Sequence, residues 1–165
     1  MGTLPNQTHE RAQGYRLLAE IMATAVASNN GDAGEWMYQV GVEWGRHVVA
    51  RKDSQEPVDE TEVIERLADK LDALWFAPEI VEESPRRLVL HNCPFMESTR
   101  RYAQVMCQLH AGMINGSLEE MGSATRLVHL KVLDAGHKCD GELARTTARM
   151  PRVPLEIRQK PPYPA

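Results

Sequence analysis

The chain has 165 residues, 42% of them hydrophobic, and a formal net charge of −4 at pH 7. These values predict one globular domain that folds without disulfide bonds. They argue against nucleic-acid binding by this chain, because phosphate contacts need a concentrated positive face. The polar N-terminus shows no secretory signal, and no apolar stretch reaches the roughly 18 residues of a membrane span. We therefore expect a cytoplasmic protein with no membrane partner.

The N-terminal half predicts three helices separated by loops. Residues 1–14 are expected to form a flexible N-terminus, and residues 15–145 the folded domain. In the first helix, apolar side chains recur at helical spacing; they are Leu17, Leu18, Ile21, Met22 and Ala25. The third helix is predicted to begin after Asp59, whose side chain can cap it, with Glu62 three residues later.

The second predicted helix, over residues 33–51, contains two glycines four residues apart, Gly41 and Gly45. Glycine lowers helix stability by about 1 kcal/mol relative to alanine, so such a pair indicates the close approach of another backbone. Together with the amphipathic first helix, it predicts helix–helix packing, with a homodimer as the expected assembly. Trp36 and Trp44 on the same helix are expected to lie in the core or to line a pocket.

The C-terminal half predicts two hairpins on either side of one long helix. The segments PEIVEE and RRLVLHN predict an antiparallel hairpin. After a short helical turn at Pro94, a long helix is predicted from about Ala103 to Met121, ending at Gly122. A second hairpin follows in TRLVHLKVL and KCDGELA, and residues 146–165 predict a proline-rich disordered tail. The fold class is therefore α+β: three N-terminal helices, a β-hairpin, a long central helix and a second β-hairpin, with an antiparallel sheet packed on helices.

The three cysteines are Cys93, Cys107 and Cys139. An odd number of cysteines without an export signal argues against a disulfide framework. Cys107 and His110 are three residues apart on the predicted long helix, so they share one face. Cys93 lies in the loop before this helix and Cys139 begins the last strand, so all three elements can converge if both hairpins pack on the helix. The four side chains would then supply soft or borderline metal ligands.

Other interpretations of these residues stay open. The thiols can be inert core residues, because a free cysteine packs like a small hydrophobic residue. Cys107 with His110 can instead form a catalytic thiol–imidazole pair, which would need an orienting group such as Glu97 or Asn115. If a metal is bound, His137 in the turn before the last strand is the alternative fourth ligand.

Several motifs suggest a family. They are GYRLLAEIM, EWGRHVV, FAPE, HNCPF and CQLHAGMINGSLEEMG, followed by a C-x-x-x-L segment. On these segments the chain resembles the C-terminal effector domain of ArsR/DeoR-type bacterial winged-helix regulators. It is particularly similar to actinobacterial proteins related to SufR, the repressor of iron–sulfur cluster assembly. The resemblance runs from about Tyr15 to Ala144. More distantly, the layout is similar to the small-molecule-binding domain named after vinyl reductases.

This resemblance implies a sensory, non-enzymatic domain of a transcriptional regulator. In SufR-like proteins, cysteines of this region hold an iron–sulfur cluster, and Cys93, Cys107 and Cys139 match those positions, with His110 as a nitrogen ligand. A 2Fe-2S or 4Fe-4S cluster would report redox state, nitric oxide or iron–sulfur status. DNA would be bound only through a separate winged-helix domain, since residues 1–14 are too short to form one.

The chain departs from the SufR pattern at one ligand position. SufR proteins have an additional cysteine between the second and the last, and Met121 lies near that place in this chain. The more distant similarity implies an alternative: a module with bound zinc or no metal, which takes a small organic ligand between the glycine-bearing helices.

Overall fold

The structure, a computed structural model, describes residues 5–28, 31–49, 58–133 and 137–158. These residues form four helices and a five-stranded mixed sheet, which confirms the predicted α+β class. The helices are α1 (Pro5–Ser28), α2 (Ala33–Val48), α3 (Glu60–Ala73) and α4 (Met96–Glu120). The strands are β1 (Pro78–Val81), β2 (Arg87–Leu90), β3 (Thr125–Leu133), β4 (Lys138–Arg145) and β5 (Leu155–Ile157). No helix among the described residues is long and apolar enough to cross a membrane.

The sheet has the strand order β1-β2-β4-β3-β5. Both predicted hairpins are present and antiparallel, β1 with β2 and β3 with β4. Antiparallel pairing of β2 with β4 joins the two hairpins into one sheet, and it sets Leu90 opposite Cys139. The loop that follows Leu90 contains Cys93, so this register brings the first hairpin's exit close to the start of β4.

Residues 146–158 do not form the predicted disordered tail. This segment runs along the sheet and adds β5 parallel to β3, and its Val153 is 0% exposed. The side chain of Gln108 donates to the Val153 carbonyl at 2.5 Å and accepts from the Val153 amide at 3.0 Å. Proline is compatible with such an edge position, because an edge strand can leave one amide row unused. Residues 159–165 lie outside the described residues.

The N-terminal prediction also needs correction. Helix α1 begins at Pro5, so the predicted flexible segment is wrong from that residue onward. Proline suits the first position of a helix, where an amide donor has no partner within the helix. Residues 1–4 lie outside the described part of the chain.

The paired glycines of α2 meet the paired glycines of α4. A Cβ atom on Gly41 would overlap the carbonyl oxygen of Leu109, and one on Gly112 would overlap that of Tyr38. The predicted close approach of a second backbone is therefore confirmed, but the second backbone belongs to the same chain. This contact leaves no room for a ligand between the glycines, and it gives them no role in a dimer.

The two tryptophans of α2 are not in the core. Trp36 is 54% exposed and Trp44 is 61% exposed, since the glycine-bearing face of the helix is the face that packs on α4. The prediction of a core position is therefore wrong for both, whereas Trp44 does line a small pocket of about 130 Å³ with Glu43 and His47.

The predicted ends of two helices are confirmed. Asp59 caps α3, accepting from the amides of Thr61 at 2.9 Å and Glu62 at 3.3 Å. Helix α4 contains a break at Tyr102 (φ −131°, ψ 48°), where the short turn after Pro94 meets the long helix. It ends before Gly122, whose φ of +77° is the left-handed conformation that favours glycine.

Candidate functional site

The three cysteines are all buried at the junction of α4 with the sheet. Their exposed fractions are 9% for Cys93, 5% for Cys107 and 3% for Cys139, and none of them forms a disulfide. Cys107 lies on α4, and Cys139 lies in β4 between Leu90 and Val132 of the neighbouring strands. Both belong to the main hydrophobic core.

The thiols influence one another electrostatically. Burial raises the pKa of Cys107 well above its ordinary value, and the proximity of Cys139 and Cys93 raises this pKa further. Burial, with Cys93 nearby, raises the pKa of Cys139 to about 12. Cys107 and Cys139 are therefore protonated at neutral pH, and a nearby cation would be needed to hold them as thiolates.

His110 is buried one helical turn after Cys107. It is 4% exposed, and its ring stacks on Phe76 with 4.0 Å between the ring centroids and 17° between the planes. Its Nε2 atom has no hydrogen-bond partner among the described residues. Burial lowers the pKa of His110 to about 4, so the imidazole is neutral at physiological pH. A neutral imidazole is the form that binds a metal ion.

Phe76 is the residue of this site that sequence reasoning missed. It lies in a tight turn between α3 and β1, where Trp75 (φ 71°) and Ala77 (φ 46°) both have left-handed backbones. Such conformations are costly for residues with a side chain, and they occur often at functional sites. Neither Trp75 nor Ala77 is a glycine, so the sequence does not indicate that the chain turns sharply on both sides of Phe76.

The turn at Phe76 is hydrogen-bonded to the loop that leads to Cys93. The amide of Asn92 donates to the Phe76 carbonyl at 3.2 Å, and the Asn92 side chain donates to the Trp75 carbonyl at 2.6 Å. The amide of His91 donates to the Ala77 carbonyl at 3.1 Å. The Cys93 loop and the Phe76–His110 stack are thus mechanically connected.

The candidate ligands do not form a closed coordination site. Among the described residues, no three histidine, cysteine, aspartate or glutamate side chains lie close enough together to hold a metal ion. His137, the alternative fourth ligand, is exposed in the turn before β4. Asn115 bonds the backbone of Leu127 and the Tyr38 hydroxyl, so it does not orient His110. The side chain of Glu97 lies outside the described residues.

The comparisons leave the family open. No protein-family model matches this chain, and no curated protein matches it. The resemblance to SufR-like regulators therefore stays a prediction from the motifs.

The donor set nevertheless has the right chemistry for a soft or borderline metal centre. Three buried thiols and an unsatisfied imidazole nitrogen are the ligand types found in iron–sulfur and zinc sites. The thiols and the imidazole nitrogen would have to move closer together for such a centre to bind.

Proposed function

We propose that this chain is the sensory module of a transcriptional regulator. Cys93, Cys107 and Cys139 hold an iron–sulfur cluster, with His110 as the fourth ligand, and the module has no enzymatic activity. When bound, the cluster supplies redox chemistry to a buried place in the fold. A zinc ion held by the same four side chains is the alternative.

The unsatisfied Nε2 atom of His110 supports this proposal most directly. A buried thiol needs no partner, because it packs like a small hydrophobic residue. A buried polar nitrogen without a partner costs about 1–3 kcal/mol. Binding a metal ion removes that cost, and Cys107 lies one turn away on the same face of α4.

The response of the protein follows from the connections around the site. Loading requires the thiols and the His110 nitrogen to approach one another more closely than they do in this structure. The Cys93 loop is bonded to the Phe76 turn, and Phe76 stacks on His110, so these segments would move together. A ligand that favours one of two arrangements shifts their populations, and a separate winged-helix domain would convert that shift into altered DNA binding.

A thiol enzyme is less well supported. A nucleophilic cysteine needs a lowered pKa, whereas burial raises the pKa of Cys107. Of the two groups expected to orient His110, the Asn115 amide is occupied by the Leu127 backbone, and the Glu97 side chain lies outside the described residues.

The expected homodimer is proposed to form through α1. This helix buries Ala23 against α4 and leaves a separate stripe of apolar side chains in solvent. The stripe comprises Tyr15 (75% exposed), Leu17 (59%), Leu18 (53%), Ile21 (55%) and Met22 (58%). Its spacing of three and four residues is the pattern by which identical helices pair, and two-fold contacts are the commonest in homo-oligomers. A second copy of this chain is therefore the proposed occupant.

Anaerobic purification of the full chain tests the metal proposal, with iron, sulfide and zinc analysis and a visible absorption spectrum. We expect a brown protein with matched iron and acid-labile sulfide. Replacing Cys93, Cys107 or Cys139 with Ser should each sharply reduce iron retention. His110→Ala should make the cluster labile, and His110→Cys should restore retention with a shifted spectrum.

His91→Ala and His137→Ala are the matched controls, because both histidines are exposed. Each should retain iron like the wild type; loss in His137→Ala, with none in His110→Ala, would transfer the fourth ligand to His137. A colourless protein with one zinc would select the alternative centre. Failure to retain either metal, as purified and after reconstitution, would refute the proposal.

A further inference from the structure

A polar cleft of about 380 Å³ lies beside the α2–α4 contact, away from the cysteines. It is bounded by α2, the C-terminal half of α4, the start of β3 and the segment that follows β4. Its lining includes Tyr38, Arg46, Asn115, Glu119, Arg126 and Arg149. The volume falls within the range of small-molecule sites. Three arginines and one glutamate thus belong to the lining of the same cavity.

The positive charge of the cleft is only partly neutralised. Arg46 bonds Glu119 at 2.9 Å and also Glu43 at 2.9 Å, so its charge is paired. Arg126 donates through Nη1 to the carbonyls of Ser123 and Thr125, which have no net charge. Within the part of the chain that the structure describes, no carboxylate forms an ion pair with Arg126 or Arg149. The lining of the cleft therefore includes two arginines whose charge is not paired with a carboxylate of the described residues.

A buried hydroxyl adds a directed donor. Tyr38 is 4% exposed, and its oxygen accepts a hydrogen bond from the Asn115 amide at 3.0 Å. The direction of that bond is fixed, since Asn115 pairs with both the amide and the carbonyl of Leu127. A tyrosine hydroxyl is protonated at neutral pH, and burial raises the pKa of Tyr38 further. Because Tyr38 lines the cleft, this hydroxyl can donate a hydrogen bond to a ligand there.

We propose that this cleft binds a small organic anion through a carboxylate or phosphate group. Arginine is the side chain best suited to such groups, because its planar guanidinium donates two parallel hydrogen bonds to an oxyanion. The Tyr38 hydroxyl supplies a third donor. The site uses none of the cysteines, and Asn115 lies eight residues after Cys107, about 12 Å along α4. Anion binding in this cleft therefore does not depend on the metal centre.

NMR titration of the ¹⁵N-labelled full chain tests the proposal. The probes are inorganic phosphate, citrate and the neutral control glycerol, at constant ionic strength. We expect saturable shifts of the amides of residues 146–149 with an oxyanion and none with glycerol. Tighter binding of citrate would identify a carboxylate ligand, and tighter binding of phosphate a phosphate ester.

Arg149→Gln and Arg126→Gln should each weaken anion binding about tenfold, the value of one charge-assisted hydrogen bond. Arg149 is exposed and makes no ion pair with described residues, so Arg149→Gln should fold. This variant keeps the test valid even if Arg126→Gln disturbs β3 by removing the Arg126 contacts. Arg101→Gln, at the opposite end of α4, is the matched control and should bind like the wild type. Shifts that never saturate, or equal weakening in all three variants, would overturn the proposal.

Discussion

The buried imidazole of His110 connects the stability of the fold to pH. Its pKa is about 4 in the folded protein, against an ordinary value of 6.5 for histidine. Between these two values the unfolded chain binds more protons than the folded chain. The neutral His110 imidazole therefore contributes fully to the free energy of unfolding above pH 6.5. This contribution is lost as the pH falls toward 4.

Replacement of His110 by Phe should remove this pH dependence. Phenylalanine retains a ring against Phe76 but cannot be protonated. At about 1.36 kcal/mol per pKa unit, the wild type should lose roughly 3 kcal/mol more than the variant between pH 7 and pH 4. Urea unfolding of the chelator-treated proteins at both pH values measures the difference.

His47→Phe is the control for this experiment, because His47 is an exposed histidine on α2. It should follow the wild-type pH profile, including the acid destabilisation that protonated carboxylates cause in every variant. If His110→Phe and the wild type lose the same free energy of unfolding, the imidazole is not buried as described.

At the level of elements, contact between α2 and α4 organises the helical layer. Gly41 and Gly45 face Gly112 and Gly116, so the two backbones touch without intervening side chains. Close contact of this kind fixes the position of α4, and α4 provides Cys107 and His110 to the candidate site. Packing density in such a contact leaves no space for an added methyl group.

Gly41→Ala should destabilise the fold by about 3 kcal/mol, because its Cβ would overlap backbone atoms of α4 and not a flexible side chain. Gly14→Ala is the matched control: Gly14 also lies in a helix, but nothing lies within 4 Å of its Cβ position. That change should leave stability equal or raise it by up to about 1 kcal/mol. Chemical denaturation measures both, and a Gly41→Ala protein as stable as the wild type would disprove direct backbone contact.

At the level of the whole molecule, the apolar stripe of α1 stays exposed to solvent in an isolated chain. Contiguous exposed apolar side chains are typical of interaction sites. The glycines no longer explain association, since they are used within the chain, so the predicted homodimer depends on α1 alone.

Ile21→Glu should convert a dimer to a monomer at micromolar concentration, because it places a charge in the centre of the apolar stripe. Ala27→Glu is the control: it is exposed on the same helix, but nine residues after Leu18 it points to the opposite side. Sedimentation velocity distinguishes the outcomes. A wild-type chain that is monomeric throughout would remove the dimer from the proposed function.

The sequence determined those features whose signals lie within a few neighbouring residues. Asp59 at the start of α3, the two hairpins and the end of α4 at Gly122 follow from caps, alternation and turn residues, and all are confirmed. The four-residue spacing of glycines correctly predicted a close backbone. Such signals are local, so they can be recognised before the fold is known.

Only the tertiary structure decided which surfaces meet. It assigned the partner of the α2 glycines to α4 of the same chain, and it placed residues 155–157 beside β3 although their composition predicted disorder. It also set Phe76 on His110 and kept the three thiols within electrostatic range without closing a metal site. These outcomes depend on contacts between residues far apart in the chain, where burial and shape select one partner among many that local sequence patterns allow equally.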